Sequence, residues 1–437
     1  MKGLKMELTA EETRILEGEY GEVEQEALKL LVKYGEALNA GRLVDVQSVH
    51  TAMAVPGQFA KIVTGNYPLL NQILLCSKKR IKIDKLKVYT TTHVCDIEPY
   101  HYKEFGVSEE VMQANRAVRE HYARKGIIFT STCTPYLVGN IPVKGNHIAW
   151  MESSAVVYAN SVIGAMGNIE GIESTLAAAI VGKIPYAGFH VPENRKAKVI
   201  FHIDATLKYQ ADFDALGYYI GEELENMGLS LDVPVLTGLK PGQATQDNLK
   251  GMGAAMATSG AVQLYHIDGI TPEACGGLET VLLDPGKTER VGVTDGDIKK
   301  TYDTLSTATD TRVDLIIMGC PHFSLNQLKE VALLLEGKYI KEDVFLWIFL
   351  PAGLKELVMA RGFGKIIEQA GGLLMVDTCP ALTQFKPVGV KIVASNSAKQ
   401  IHYYSAEFPE ITTWFGSVEK CIQAAISGRW GSGYLNK

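Results

Sequence analysis

Val313-Asp314-Leu315-Ile316-Ile317-Met318-Gly319-Cys320-Pro321-His322 is a short, mostly apolar run that stops at a glycine and a cysteine. A run of this kind bounded by turn residues reads as a buried strand of a parallel sheet. Ser324-Leu325-Asn326-Gln327 follows as a helix cap. The pattern then repeats. A strand at 344–350 leads into a helix ending near Gly371-Gly372. A strand at 373–376 ends at Asp377-Thr378-Cys379-Pro380, and one at 391–394 ends at Asn396-Ser397-Ala398-Lys399. Strands that alternate with helices predict a parallel sheet.

The rhythm also holds upstream. Residues 199–203, 233–236 and 262–266 read as strands, with helices at 213–227 and 246–257 between them. The Gly/Asp/Thr-rich stretch 284–297 reads as a linker. Near the N-terminus, Thr9-Ala10-Glu11-Glu12 is a capping box. An amphipathic helix over 23–38, a strand at 86–90 and a helix at 109–125 follow. Ile127-Ile128-Phe129-Thr130 leads to Cys133, and a small-residue helix covers 153–164. The charged Glu193-Asn194-Arg195 reads as a hinge. The expected architecture is α/β in three units: 1–195 carrying Cys133, 196–297 as β-α-β-α-β, and 298–437 carrying Cys320, Cys379 and Lys399. Neither an internal repeat nor a low-complexity tract is evident.

The 437 residues suit about three domains. Hydrophobic residues at 46% and charged residues at 21% are values of an ordinary soluble protein. A net charge of −6 argues against nucleic-acid or anionic-membrane partners. The longest tight apolar run, 344–350, is far short of the ~20 residues of a membrane span. Met1-Lys2-Gly3-Leu4-Lys5-Met6-Glu7 lacks the apolar stretch of a signal peptide, so a cytoplasmic protein is expected. Seven cysteines in such a chain are not a disulfide framework. Cys76 and Cys421 sit in helix-like apolar patterns and read as core, while Cys275, in a loop, could go either way.

Three cysteines remain. Cys133, in Ser131-Thr132-Cys133-Thr134-Pro135-Tyr136, Cys320 and Cys379 each follow a predicted strand. Ligands of open α/β sheets bind outside the carboxyl ends of the strands. Three thiolates there suit an iron–sulfur cluster, zinc or mononuclear iron, and the residues alone do not separate these. The bland alternative is buried cysteines at strand ends. A Cys–His pair is the rival chemistry, since His322 lies two residues from Cys320 and His147 and His93 are available. A histidine so near in sequence is more often a packing residue, and one cysteine would then suffice. Asn396-Ser397-Ala398-Lys399 places an amide, a hydroxyl and an ammonium at a strand-to-helix turn. Free N–H groups there, with Lys399, would bind an anion; an ordinary N-cap with a surface lysine is the alternative. Glu152-Ser153-Ser154 precedes a helix as a cap or as a carboxylate contact. Gly251-Met252-Gly253 resembles part of a dinucleotide fingerprint but follows helical residues, which discounts it.

In this order the loops resemble the large subunit of aconitase X, a branch of the aconitase superfamily. The resemblance runs from Ile15-Leu16-Glu17-Gly18-Glu19-Tyr20-Gly21 to Gly428-Arg429-Trp430. Its specific pieces are Thr132-Cys133-Thr134-Pro135-Tyr136, Ala149-Trp150-Met151-Glu152-Ser153-Ser154-Ala155 and Gly269-Ile270-Thr271-Pro272-Glu273-Ala274, with the Cys320, Cys379 and Lys399 loops. It implies three aconitase-like α/β domains around a central cleft and an iron-dependent hydro-lyase acting on a small hydroxy acid. By motif match Cys133, Cys320 and Cys379 would hold a 4Fe–4S cluster, a 2Fe–2S cluster or a single iron. Ser153, Ser154 and Lys399 would be catalytic and contact substrate, with Met53, Ala54, Val55, His93, Asn396 and Ser397 lining its site. The family also carries a swivelling domain, fused or as a separate small subunit that supplies a catalytic serine. This chain is expected to lack that domain and to bind such a subunit at apolar surface beside the cysteine loops.

Two loops depart from the pattern. His50-Thr51-Ala52-Met53-Ala54-Val55 stands where a Gly-Val-Ser is expected, and Thr92-His93-Val94-Cys95 where an Asn-Pro is expected. Cys95 is thereby a candidate additional ligand. Ala165-Met166-Gly167 replaces an Arg-containing turn. The altered loops favour a substrate of the cis-3-hydroxy-L-proline type over mevalonate 5-phosphate. A non-catalytic metal carrier is the competing class, and a cysteine-nucleophile hydrolase comes third.

Overall fold

The computed structural model describes residues 6–52, 85–94, 97–380 and 386–431. Three parallel sheets form its framework. In the first, the order is Ile127–Ile128, Thr90–Thr92, Ser48–Thr51, Ile148–Trp150, with His50 opposite both Thr91 and Trp150. Thr9 caps the first helix through Glu12, as the sequence predicts. The strand predicted at 86–90 lies later, at Thr90–Thr92. Lys87 and Val88 donate their N–H groups to Ala179 at a helix end, which takes that stretch out of the ladder. The helix predicted over 153–164 is α-helical only over Ser153–Tyr158 and then widens into a π turn, Ala159–Ile163. Asn160 there bonds Gly167 through both atoms of its amide.

The second sheet runs Glu289–Val293, Ala197–Ile203, Val233–Thr237, His266–Ile267, all parallel. The stretch expected as a linker therefore contains an edge strand, with Val293 opposite Ile203. Only Val293 of this strand is fully buried, which left little apolar signal to read. The strand predicted at 262–266 pairs only at its end. Gln263 and Tyr265 are instead bonded by Asn160, Ile169 and Ser161 of the first unit. The helices Gln210–Asn226 and Gln246–Gly260 cross closely, because a Cβ on Gly217 would lie 2.1 Å from the Met252 carbonyl oxygen. Gly251-Met252-Gly253 lies inside the second of these helices, not in a phosphate loop.

The third sheet has the order Leu373–Met375, Phe345–Phe349, Leu315–Met318, Ile392–Ser395, Thr412–Phe415, again all parallel. Its three inner strands are almost wholly buried, as apolar runs in a two-sided sheet must be. Ser324 and Gln327 form the predicted capping box after the Cys320 loop. Cys421 is core, and Cys275 is exposed. Among the described residues no helix is long and apolar enough to cross a membrane. Parallel strands place their carboxyl ends on one side, and from the first and third sheets those ends lead to the three cysteines.

Candidate active site

Each cysteine follows a turn that ordinary backbone conformations do not reach. Ser131 (φ 39°), Gly319 (φ 95°) and Asp377 (φ 66°) stand in the left-handed region, one or two residues ahead of Cys133, Cys320 and Cys379. Such conformations cost energy outside glycine and persist only where the surroundings fix them. The fixing contacts are visible. The Ser131 N–H donates to Thr92 Oγ1 at 3.1 Å, and Arg119 holds Asp377 Oδ2 at 2.7 Å. At position 319 a Cβ would meet the Phe349 carbonyl oxygen at 2.1 Å, so only glycine fits.

His322 joins the three loops. Its N–H donates to Cys133 Sγ at 3.2 Å, its Nδ1 lies 2.9 Å from Thr132 Oγ1, and its Nε2 lies 3.1 Å from the Thr378 carbonyl oxygen. The ring is fully buried, and burial lowers its pKa to about 3, so it is neutral. His50 is likewise buried and neutral, with Nε2 3.0 Å from the Thr132 carbonyl oxygen. The Cys133 thiol is pushed up by burial, then by Glu152 and Cys320. Burial also pushes Cys320 up to about 12, with Lys399 opposing and Cys379 adding to the rise. The sulfurs are thus electrostatic neighbours in sequence, Cys133 with Cys320 and Cys320 with Cys379.

Among the described residues no three His, Cys, Asp or Glu side chains converge closely enough, as they stand, to hold a metal ion. The donors nevertheless suit iron in kind. They are three cysteine sulfurs, and for Cys133 and Cys320 burial and a neighbouring sulfur oppose ionisation, which a cation would relieve.

Beside the cysteines lies a buried ion pair. Lys399 Nζ donates to Glu152 Oε1 at 2.9 Å and to Ser153 Oγ at 3.0 Å. Glu152 Oε2 accepts from Ser154 Oγ at 2.5 Å and from the Ala155 N–H at 2.7 Å. Glu152, not a serine, is therefore the N-cap of this helix. Burial alone would raise the Glu152 carboxyl, but Lys399, His93 and Ser154 outweigh it and hold it at about 2. Burial opposes the Lys399 charge in turn, and Glu152 and Cys320 restore it, so Lys399 stays protonated above its ordinary value. Sequence reasoning named both serines and Lys399 but missed Glu152 as their partner. The available signal was an acid placed between a buried strand end and a helix of small residues.

The anion site expected from free N–H groups at the Lys399 helix start is corrected by the structure. The Ser397 N–H donates to Ser395 Oγ, the Ala398 N–H to Asp214 Oδ2, and the Gln400 N–H to Ser397 Oγ. Ser397 is an N-cap. Asn396 is buried, and both atoms of its amide lack a hydrogen-bond partner among the described residues. His93 is half-buried, 6.1 Å from His50 between ring centres, and burial lowers its pKa to about 4. Met53, Ala54, Val55, Cys76 and Cys95 lie outside the described residues.

A three-unit parallel α/β fold that gathers cysteine, lysine and serine loops at one buried polar centre defines a dehydratase of the aconitase kind. The chain belongs to the aconitase X family. Residues 5–193, 197–303 and 313–427 match the models of the aconitase X first, second and third domains. The phosphomevalonate dehydratase large subunit of Methanocaldococcus jannaschii is 37% identical over 428 residues, 96% of this chain and 100% of that protein. The cis-3-hydroxy-L-proline dehydratase of Pseudomonas aeruginosa is 30% identical over 435 residues, 98% of this chain but 71% of that protein. The holo-form crystal structure of Thermococcus kodakaraensis aconitase X superposes with a TM-score of 0.80 at 36% identity, covering 96% of this chain and 100% of that one. The chain is accordingly a hydro-lyase, which sets aside the metal-carrier and hydrolase alternatives. Four phosphomevalonate dehydratase large subunits are 33–38% identical to this chain, against 30% and 28% for two cis-3-hydroxy-L-proline dehydratases, while the large subunit of Aeropyrum pernix stands at 28%.

Proposed function

We propose that this chain dehydrates mevalonate 5-phosphate at an iron centre held by Cys133, Cys320 and Cys379. The observation that carries the reading is the buried Lys399–Glu152–Ser153 array beside Cys320. The likeness to the phosphomevalonate dehydratase large subunits, which spans both chains, supports the substrate. The second reading, a cis-3-hydroxy-L-proline substrate, rests on the altered loops at 53–55 and 93–95.

In the reaction a proton leaves the carbon next to the carboxylate. The C–O bond at the neighbouring carbon breaks, the hydroxyl departs as water, and a C=C bond forms. A bound iron centre supplies Lewis acidity for the departing hydroxyl. Lys399 has three N–H donors, of which Glu152 and Ser153 take two. The third is available to the substrate carboxylate. Ser153 Oγ accepts from Lys399 and donates across a long 3.5 Å to Glu152 Oε1, a bond that a substrate oxygen can replace. Ser154 keeps Glu152 in place, and the Asn396 amide offers a further donor and acceptor.

None of these groups suits the general base. Glu152 at about 2 is too weak, Lys399 is protonated, and His93 at about 4 binds a proton poorly at neutral pH. We assign the base to a companion small subunit; the words "large subunit" in the relative's name support the existence of such a companion. Tyr100, 58% exposed and close to Asp377 of the Cys379 loop, offers apolar surface for docking.

The test is turnover by the anaerobically iron-reconstituted chain with its co-purified companion. Dehydration of mevalonate 5-phosphate, with little turnover of cis-3-hydroxy-L-proline, is expected. Turnover of hydroxyproline alone would reverse the substrate. Undiminished activity in Cys133→Ser, Cys320→Ser and Cys379→Ser would remove the iron site.

A further inference from the structure

We infer that His322 is the positioning residue of the site, a single buried side chain that fixes the mutual placement of the three cysteine loops. The inference deepens the proposed iron site and rests on that reading for its purpose, though not for its geometry. A carbonyl oxygen only accepts, so the 3.1 Å contact with Thr378 requires the proton on His322 Nε2. His322 Nδ1 is then an acceptor, and Thr132 Oγ1 must donate to it across 2.9 Å. With its hydroxyl proton committed, Thr132 Oγ1 accepts the Thr134 N–H at 3.1 Å, on the far side of Cys133. The His322 backbone N–H adds a bond to Cys133 Sγ itself. One tautomer therefore links the Cys133 loop of the first sheet, the Cys379 loop, and the Cys320 loop that His322 belongs to.

The second unit takes part as well. Lys250, buried in the helix Gln246–Gly260, donates to the His322 carbonyl oxygen at 3.1 Å and to Gln327 Oε1 at 2.6 Å. The loop carrying His322 is thus held from every unit of the molecule. Each cysteine follows a left-handed turn residue, and such turns stay in place only when tied down. A phenylalanine or leucine of similar size would fill the space and keep the two backbone bonds, to Cys133 Sγ and from Lys250, but would lose both ring bonds, to Thr132 and to Thr378. A residue that merely packs should affect its own loop, whereas a positioning residue should affect all three.

Hydrogen exchange of the metal-free full chain, read by mass spectrometry, separates these cases. In His322→Ala, exchange should accelerate by about tenfold or more together at 131–134, 319–323 and 376–380. Acceleration confined to 319–323 would overturn the inference. If His322→Ala does not fold, Thr132→Val decides. It should loosen 131–134 and 319–323 and leave 376–380 unchanged, and an unchanged 131–134 would refute the link. With iron bound, His322→Ala should lose the metal to a chelator at least fivefold faster than the wild type, and equal rates would count against the role. A wild-type chain that takes up no iron would sink the proposed function, while the exchange pattern would still decide the positioning role.

Discussion

Glu152→Gln removes one charge from the buried pair with Lys399 and turns one of its two acceptor oxygens into a donor, so that an oxygen kept toward the Ala155 N–H leaves an NH2 facing the Lys399 ammonium. In the folded chain the Glu152 carboxyl is held at about 2 against an ordinary 4.5. That difference is about 300-fold in proton affinity, worth about 3 kcal/mol. Both side chains of the pair are about nine-tenths buried, at 10% and 9% exposure, so solvent screening takes little from this figure. It also agrees with the roughly 3–5 kcal/mol lost when one member of a buried pair is removed. The depressed carboxyl contributes its full stability above pH 4.5 and loses it as the pH falls toward 2. Urea unfolding of wild type and Glu152→Gln, followed by tryptophan fluorescence, reads the effect, since Trp150 lies buried two residues away. The variant should be weaker by about 3 kcal/mol at pH 7, and the gap should shrink to less than about half by pH 3. Equal stability at pH 7, or a gap that does not narrow on acidification, would refute the pairing.

Lys399→Ala should reduce kcat/KM for mevalonate 5-phosphate by about a hundredfold or more while bound iron is retained, which turnover and iron analysis together check. Asp214 is raised by burial to about 8, against the opposing Ala398 N–H and Lys250, so its ionisation destabilises the fold as pH rises from 3.8 toward 8. Asp214→Asn should therefore gain about 2 kcal/mol or more over wild type at pH 9 in urea unfolding, and less at pH 5. Gly217→Ala drives a Cβ into the Met252 carbonyl and should cost about 1–3 kcal/mol by the same assay.

The strand tips of the third sheet were legible because the apolar runs stop at Gly319, at Pro351, at Asp377 and at Asn396. The three parallel units followed from the same alternation. The edge strand at Glu289–Val293 was hidden, since one buried side chain gives no alternation to read. The strand at Thr90–Thr92 was hidden too, because three consecutive threonines form neither an apolar run nor an alternation. In the site, sequence order marked Cys133, Cys320, Cys379, Ser153 and Lys399. It did not mark Glu152 opposite Lys399, 247 residues away, or His322 against Thr132, 190 residues away. Those pairings are products of how the sheets pack, and no local pattern encodes them.

The central claim is that the three cysteine loops hold iron. Iron content and visible absorption of the anaerobically reconstituted full chain test it directly, in wild type and in Cys133→Ser, Cys320→Ser and Cys379→Ser. Stoichiometric iron with visible absorption in the wild type, lost in each variant, is the predicted result. A wild-type chain without iron, or three variants that keep it, would contradict the account.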